Sequence, residues 1–227
     1  MTTHKPADVV MFVGPTLGEG RRARALAKKH GVRLRPPVKR RDLSTFLGQA
    51  GRRRPGVVCI VDGVFHDRLA VGHVEIRDLL ERGWRVWGLS SMGAIRAREM
   101  QSLGMRGFGQ VYELFNTTAD FQDDEVALLH EPTAPFRSSS EPLVHLRAAL
   151  DHLVGLELVP SAAAAAVVQS LKRRWFGDRS IAAMLADLRS EGATLAPIRN
   201  ELRDFARFRL KTIDLEHFLE LTPWRTL

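Results

Sequence analysis

The chain has 227 residues, of which 44% are hydrophobic and 26% are charged, and its formal net charge is +8. These fractions are typical of a globular protein and exclude a disordered or fibrous chain. The longest apolar runs, residues 9–13 and 162–168, are far shorter than the roughly 20 residues of a membrane-spanning helix. The run at residues 9–13 is also too short for the apolar part of a signal peptide. The single cysteine, Cys59, permits no internal disulfide, so we expect a cytoplasmic protein.

Strand and helix patterns alternate through the first half of the chain. Short apolar runs at residues 9–13, 57–61 and 84–89 predict buried strands. Helical patterns lie between and after them, over residues 19–30, 42–50, 70–82 and 94–103. We interpret residues 35–37 as an extended linker and Asp42 as a helix N-cap. The alternation predicts an α/β fold with a mostly parallel sheet and flanking helices.

Strand patterns stop after about residue 142, and only helical patterns follow. They cover residues 143–153, 161–176, 180–191, 198–210 and 215–221. The serine run at 138–140 is expected to separate an α/β body, residues 1–140, from a helical region, residues 141–227. The two parts can share one core.

The positive charge is concentrated in one segment. Residues 21–54 contain 13 Lys and Arg and one acid, Asp42, which gives +12, so the rest of the chain carries −4. Such a segment favours an anionic partner, although a solvated surface explains it equally well. It contains one aromatic residue, Phe46, and no zinc-finger or RNA-recognition pattern, so stacking on nucleic-acid bases is poorly supported.

The sharpest local feature is the turn Gly-Leu-Ser-Ser-Met-Gly at residues 88–93, between a predicted strand and a predicted helix. A serine here lies beside N–H groups of the first helical turn, which have no partner within the helix and can stabilise an oxyanion. Ser90 or Ser91 is therefore a candidate nucleophile. The spacing is not that of the G-x-S-x-G elbow, and a serine that only caps the helix is the simpler explanation.

Two weaker patterns follow the first and second predicted strands. The glycine-rich loop after residue 13 includes Gly14, Pro15 and Thr16, whose backbone can bind an anion. The loop lacks a P-loop signature, and a turn that requires glycine explains its composition equally well. Asp62 and His66 follow the second strand, at the edge where α/β sheets usually bind ligands. The histidines and carboxylates near them lack the spacing of a known metal motif, so we expect no metal.

Taken in order, these segments resemble the TfuA-like family. The matching stretches are VGPTL at 13–17, RPP at 35–37, IVDGVFH at 60–66, SSMGAIRAREM at 90–100, GM at 104–105 with glycines at 107 and 109, and DDEVALLH at 123–130. Each stretch is short, but the ordered set is specific and covers about residues 9–150.

The resemblance implies an accessory protein for peptide backbone thioamidation. TfuA-like proteins act beside YcaO enzymes, which use ATP to activate an amide oxygen for replacement by sulfur. The accessory protein is expected to hydrolyse the C-terminal thiocarboxylate of a ubiquitin-like sulfur carrier, to release sulfide without a cofactor, and to assist engagement of the peptide substrate. The expected partners are therefore a YcaO-type enzyme, the carrier and the peptide.

The family's proposed site is a serine–lysine pair. The resemblance assigns Ser91 as the nucleophile, with Ser90 as the fallback, and the amides of Met92 and Gly93 as oxyanion donors. The family is expected to have lysine at position 74, where this chain has valine. The base is then His73 or Lys39, or hydrolysis is weakened or lost.

The residues expected to contact the substrate are Gly14, Pro15, Thr16, Asp62, His66 and Arg96. The alternatives to a serine hydrolase are a non-catalytic adaptor for the YcaO enzyme or its peptide and, less favoured, a binder of phosphate or nucleic acid.

Overall fold

The computed structural model describes residues 8–18, 21–51, 54–64 and 69–226. Its centre is a five-stranded, all-parallel sheet with the strand order β2-β1-β3-β4-β5. The strands are β1 (Val9–Phe12), β2 (Arg33–Arg35), β3 (Val57–Ile60), β4 (Arg85–Leu89) and β5 (Arg106–Phe108). The predicted α/β class with a parallel sheet is confirmed.

The three central strands are those that the apolar runs predicted, whereas the edge strands β2 and β5 were missed. Residues 33–35 form an edge strand, in which Arg35, the first residue of the predicted linker 35–37, pairs with Phe12. Both edge strands are three residues long and partly exposed. They lack an apolar run because an edge strand buries less of its surface.

Five helices follow the strands of the α/β part: α1 (Arg21–Lys29), α2 (Asp42–Ala50), α3 (His73–Glu81), α4 (Met92–Met100) and α5 (Gln110–Thr117). Alternate residues of each central strand enter different cores. Val10, Val58 and Val86 pack with α2, α3 and α4 on one face of the sheet. Asp42 begins α2 as its first helical residue, and Arg41 occupies the capping position that we predicted for Asp42.

The C-terminal part contains α6 (Leu143–Gly155), α7 (Ser161–Arg173), α8 (Ile181–Ser190), α9 (Leu195–Glu201) and α10 (Leu210–Leu221). Helices α6 to α9 share an apolar cluster of their own. The helix predicted over 198–210 is interrupted, because α9 ends at Glu201 and a separate 3₁₀ turn covers Phe205–Phe208.

Helix α10 returns to the α/β body. Leu215, Phe218 and Leu219 are buried with Met11 and Trp87 on the second face of the sheet, where α1 also packs. This helix begins at Leu210, five residues before the predicted start at 215. Its first turn is thereby brought to the carboxyl ends of the strands. Within the described residues, no helix has both the length and the apolar character needed to cross a membrane.

Candidate functional site

The turn between β4 and α4 contains the two serines. Ser90 is fully buried, has a positive φ of 64°, and donates a hydrogen bond from Oγ to the Lys211 carbonyl, 2.8 Å away. Ser91 occupies the N-cap position of α4, but its side chain makes no capping hydrogen bond to the described residues and lines a cavity. A capping hydrogen bond therefore does not explain the serine at position 91.

The glycines of this turn bring α4 unusually close to the sheet. A Cβ atom on Gly93 would lie 1.8 Å from the Ile60 carbonyl oxygen, and one on Gly88 would lie 2.0 Å from the Gly93 carbonyl oxygen. No other residue fits at either position without movement of the backbone. The spacing of the two glycines thus sets the helix against β3 and β4 and places the serine turn at the carboxyl edge of the sheet.

A cavity of about 860 Å³ opens at this edge. Residues that follow β1, β2, β3 and β4 line the cavity. Ligand sites of parallel α/β sheets usually lie at this edge, beyond the carboxyl ends of the strands. The polar and charged lining residues of the cavity are Arg24, Arg35, Lys39, Asp62, Ser91, His130, Thr133 and Lys211. Most of the remaining wall is apolar, so a small number of polar groups face a bound ligand in a poorly hydrated space.

Lys211 is a second lysine, besides Lys39, that shares the cavity with Ser91. It lies in the first turn of α10, its side chain is buried, and its Nζ donates to the Val126 carbonyl at 3.0 Å. Burial lowers the pKa of Lys211 from its ordinary value of 10.5, and the carboxylates of Asp62 and Glu141 oppose this shift without reversing it. A buried lysine with a lowered pKa is suited to accept a proton from a serine hydroxyl.

Sequence reasoning missed Lys211, although a signal was present. Lys211, Leu215 and Leu219 recur at the spacing of one helix face, and all three are buried. A lysine within an apolar stripe indicates a buried cation, but the predicted helix began at residue 215 and excluded it.

The backbone of Lys211 is held on both sides. Its carbonyl accepts the Ser90 hydrogen bond, and its amide donates to His145 Nε2 at 3.4 Å. His145 Nδ1 lies 3.0 Å from Glu141 Oε2, and Arg209 in turn pairs with Glu141. Burial lowers the pKa of His145 to about 4, so the ring is neutral at neutral pH. In the tautomer that satisfies both contacts, Nδ1 donates to Glu141 and Nε2 accepts from Lys211.

Asp62 organises the loop after β1. Its carboxylate accepts hydrogen bonds from the amides of Gly14 at 2.8 Å and Thr16 at 3.0 Å, and from the Thr16 hydroxyl at 2.6 Å. The amides that we expected to bind an external anion are thus bound to Asp62. Pro15 and Asp62 line the cavity, and the Thr16 carbonyl accepts a hydrogen bond from Thr212 of α10.

The two predicted oxyanion donors differ in availability. The Gly93 amide donates to the Val61 carbonyl at 3.2 Å, so it is already engaged in this conformation. Met92 is the first residue of α4, where an amide has no acceptor within the helix. The Met92 N–H is therefore the better placed of the pair.

The remaining predicted residues separate into two groups. Lys39 lines the cavity and pairs with Asp42 at 2.9 Å. His73 and Arg96 both contact Glu99, at 2.8 and 2.5 Å, and neither is among the residues that line the cavity. His66 lies outside the described residues. Within the part of the chain that the structure describes, no three His, Cys, Asp or Glu side chains are grouped to hold a metal ion.

Fold and site together define an α/β protein in which a serine at a helix N-terminus and a buried lysine share one cavity at the carboxyl edge of a parallel sheet. The family model of the TfuA-like proteins matches residues 62–180, which is more than half of the chain, and the chain belongs to this family. The family is associated with an accessory role in thioamidation and is linked in general to YcaO-type systems. A search of curated proteins found no match. The matched region includes Ser91 and ends before Lys211.

Proposed function

We propose that this protein is a serine-dependent hydrolase that acts on the C-terminal thiocarboxylate of a ubiquitin-like sulfur carrier and supplies sulfide to a YcaO-type enzyme. The observation that carries the proposal is that Ser91 and Lys211 line the same cavity, which supports a serine–lysine pair despite Val74. Family membership supports the accessory role, and the cavity supports the chemistry.

The first step is proton transfer from Ser91 to Lys211. Burial favours the neutral amine, which uses an N–H to bind the Val126 carbonyl and keeps its lone pair for the Ser91 hydroxyl proton. As the proton moves, Ser91 Oγ forms a bond to the thiocarboxylate carbon. The Met92 amide is placed to stabilise the resulting oxyanion.

In the second step the carbon–sulfur bond breaks, the departing sulfur takes the proton that Lys211 had received, and hydrosulfide leaves. The carrier is then held as an ester on Ser91, and Lys211 is neutral again. Water then attacks this ester, Lys211 accepts a proton from the water, and the Ser91 hydroxyl is regenerated as the ester bond breaks. The balance is one thiocarboxylate anion and one water consumed, and one carboxylate and one hydrogen sulfide formed. No redox partner or cofactor is required by this balance.

The substrate is an anion, which resists attack by a nucleophile. Arg24, Arg35 and Lys39 line the same cavity and offset the negative charge of the thiocarboxylate. Among the described residues of the lining, Asp62 is the one carboxylate, and it already accepts hydrogen bonds from Gly14 and Thr16.

The test is sulfide release from a thiocarboxylated carrier by the wild type, Ser91→Ala and Lys211→Met, with Ser190→Ala as a matched control. Ser190 is exposed and its hydroxyl contacts only its own helix in the described structure. We expect the Ser91 and Lys211 variants to lose about a thousandfold or more of the activity, since members of such a pair act as a unit. Release that is unchanged in Ser91→Ala would refute the mechanism, and no release by folded wild type would leave the adaptor as the better explanation.

A further inference from the structure

The mouth of the cavity exposes an aromatic ring. Trp175, which lies between α7 and α8, lines the cavity and is 55% exposed. The Trp175 ring packs against Phe176, with the two ring centroids 5.0 Å apart. It also lies close to Gly177, where an added Cβ would be 2.2 Å from the nearest ring atom. Leu129, also in the lining, is 39% exposed. An exposed tryptophan beside an apolar cavity is the kind of residue that anchors a binding partner.

Positive charge lines the same cavity. Several cations of the basic segment are paired within the protein, since Arg22 pairs with two glutamates of α10 and Arg33 pairs with Asp8. By contrast, Arg24 and Arg35 have no carboxylate partner among the described residues, and the Arg35 guanidinium lies over the Phe46 ring. The guanidinium groups of Arg24 and Arg35 are thus available to pair with anionic groups of a binding partner.

The size of the cavity restricts what can enter. About 860 Å³ is near the upper end of the range for pockets that enclose a single ligand, and it is far too small for a folded domain. An extended chain end is small enough for this space, and Ser91 is among the residues that line it. The body of the same partner would remain outside, beside the cations and Trp175.

We infer that this mouth is a docking surface for the extended C-terminal tail of an acidic protein, in which carboxylates pair with Arg24 and Arg35 and an apolar side chain upstream of the terminus packs on Trp175. The inference rests on the proposed function for the identity of the reacting group, but the binding itself needs no turnover. Charge complementarity selects an acidic partner, and the ring selects an apolar residue within its tail.

The experiment measures binding in the Ser91→Ala background, where no chemistry interferes. The probe is a fluorescently labelled peptide with several glutamates, one leucine and a free C-terminal carboxylate. Matched peptides replace the glutamates by lysines or the leucine by serine, and labelled oligouridine tests for nucleic acid. The variants are Arg24→Glu and Trp175→Ala, with Trp175→Phe as the conservative replacement. Arg189→Glu and Leu221→Ala are controls, since both residues are exposed and lie outside the cavity lining.

We expect the acidic peptide to bind about tenfold more tightly than the lysine peptide, and Arg24→Glu and Trp175→Ala each to weaken its binding by about tenfold. Trp175→Phe should restore most of the loss, and the controls should change binding less than about twofold. Equal binding of the acidic and lysine peptides, equal losses in the controls, or displacement of the peptide by oligouridine would overturn the inference. Absence of sulfide release by the wild type, with this binding pattern intact, would refute the proposed function alone.

Discussion

Ser90 donates its hydroxyl hydrogen to the carbonyl of Lys211, which lies 121 positions further along the chain, at a distance of 2.8 Å. This bond joins the serine turn of the α/β body to the first turn of the C-terminal helix α10. It holds the backbone of the candidate base next to the candidate nucleophile, because Ser91 follows Ser90 directly.

Ser90→Ala should therefore affect both stability and activity. The loss of a buried hydrogen bond is expected to lower the free energy of unfolding by about 1 kcal/mol. Sulfide release should fall by roughly tenfold, since small displacements of a catalytic group are costly. Ser139→Ala is the matched control, because Ser139 also donates to a backbone carbonyl but is exposed. Urea unfolding and the sulfide assay measure both effects, and equal behaviour of the two variants would contradict a special role for Ser90.

Lys211→Met should change how stability depends on pH. Burial lowers the pKa of Lys211 below 10.5, so between the lowered pKa and 10.5 the unfolded chain holds a proton that the folded protein lacks. Stability of the wild type relative to the variant should consequently rise with pH across this window. The activity of the wild type should rise through the same lowered pKa, as the neutral amine forms. Unfolding free energies that run parallel in the two proteins from pH 6 to pH 10 would show that the pKa is unshifted.

His145→Gln tests the support behind Lys211. Because burial lowers the pKa of His145 from 6.5 to about 4, the unfolded chain binds a proton between these values that the folded protein does not. Wild-type stability should fall as the pH drops from 6.5 toward 4, by up to about 3 kcal/mol, since one pKa unit is worth about 1.4 kcal/mol. The variant should lack this component, which chemical denaturation at several pH values would detect. A pH dependence that survives the substitution must originate elsewhere.

Asp214→Asn is expected to show the opposite sign in the same range. The Asp214 carboxylate accepts the amides of Gln110 and Val111 at the start of α5, and burial raises its pKa from 3.8 to about 6. Between these values the folded protein holds a proton that the unfolded chain has released, so the contribution of this group to stability declines as the pH rises. Relative to Asp214→Asn, the wild type should lose up to about 3 kcal/mol from pH 4 to pH 6. A difference that grows with pH instead would exclude the raised pKa.

Val74→Lys restores the residue that the family resemblance led us to expect. Val74 is 58% exposed and is not among the residues that line the cavity. We expect the substitution to leave sulfide release unchanged and to alter the unfolding free energy by less than about 0.5 kcal/mol, as is usual at exposed positions. A large gain in activity would show that position 74, and not Lys211, supplies the base.

The central strands, the flanking helices and the serine turn were predictable because each depends on local pattern. A strand covered on both faces must be continuously apolar, as β1 and β3 are. The glycines at 88 and 93 mark a close approach of helix and sheet in any chain where they border such a turn. The edge strand β2 was missed because its pairing with β1 compensates for a polar sequence that carries no strand pattern of its own.

The sequence by itself determined the parallel sheet, the position of Ser91 at a helix N-terminus and the family resemblance. Only the tertiary structure decided that Lys211, the base proposed here, lines the same cavity as Ser91. His73 was a local neighbour of the motifs, but its ring contacts Glu99. Lys211 comes from a helix 120 positions away and reaches the site because Leu215, Phe218 and Leu219 must be buried against the sheet. Ser91 and Lys211 come together because burial of the apolar face of α10 brings the lysine on that face into the cavity. This contact between distant segments exists only in the folded chain.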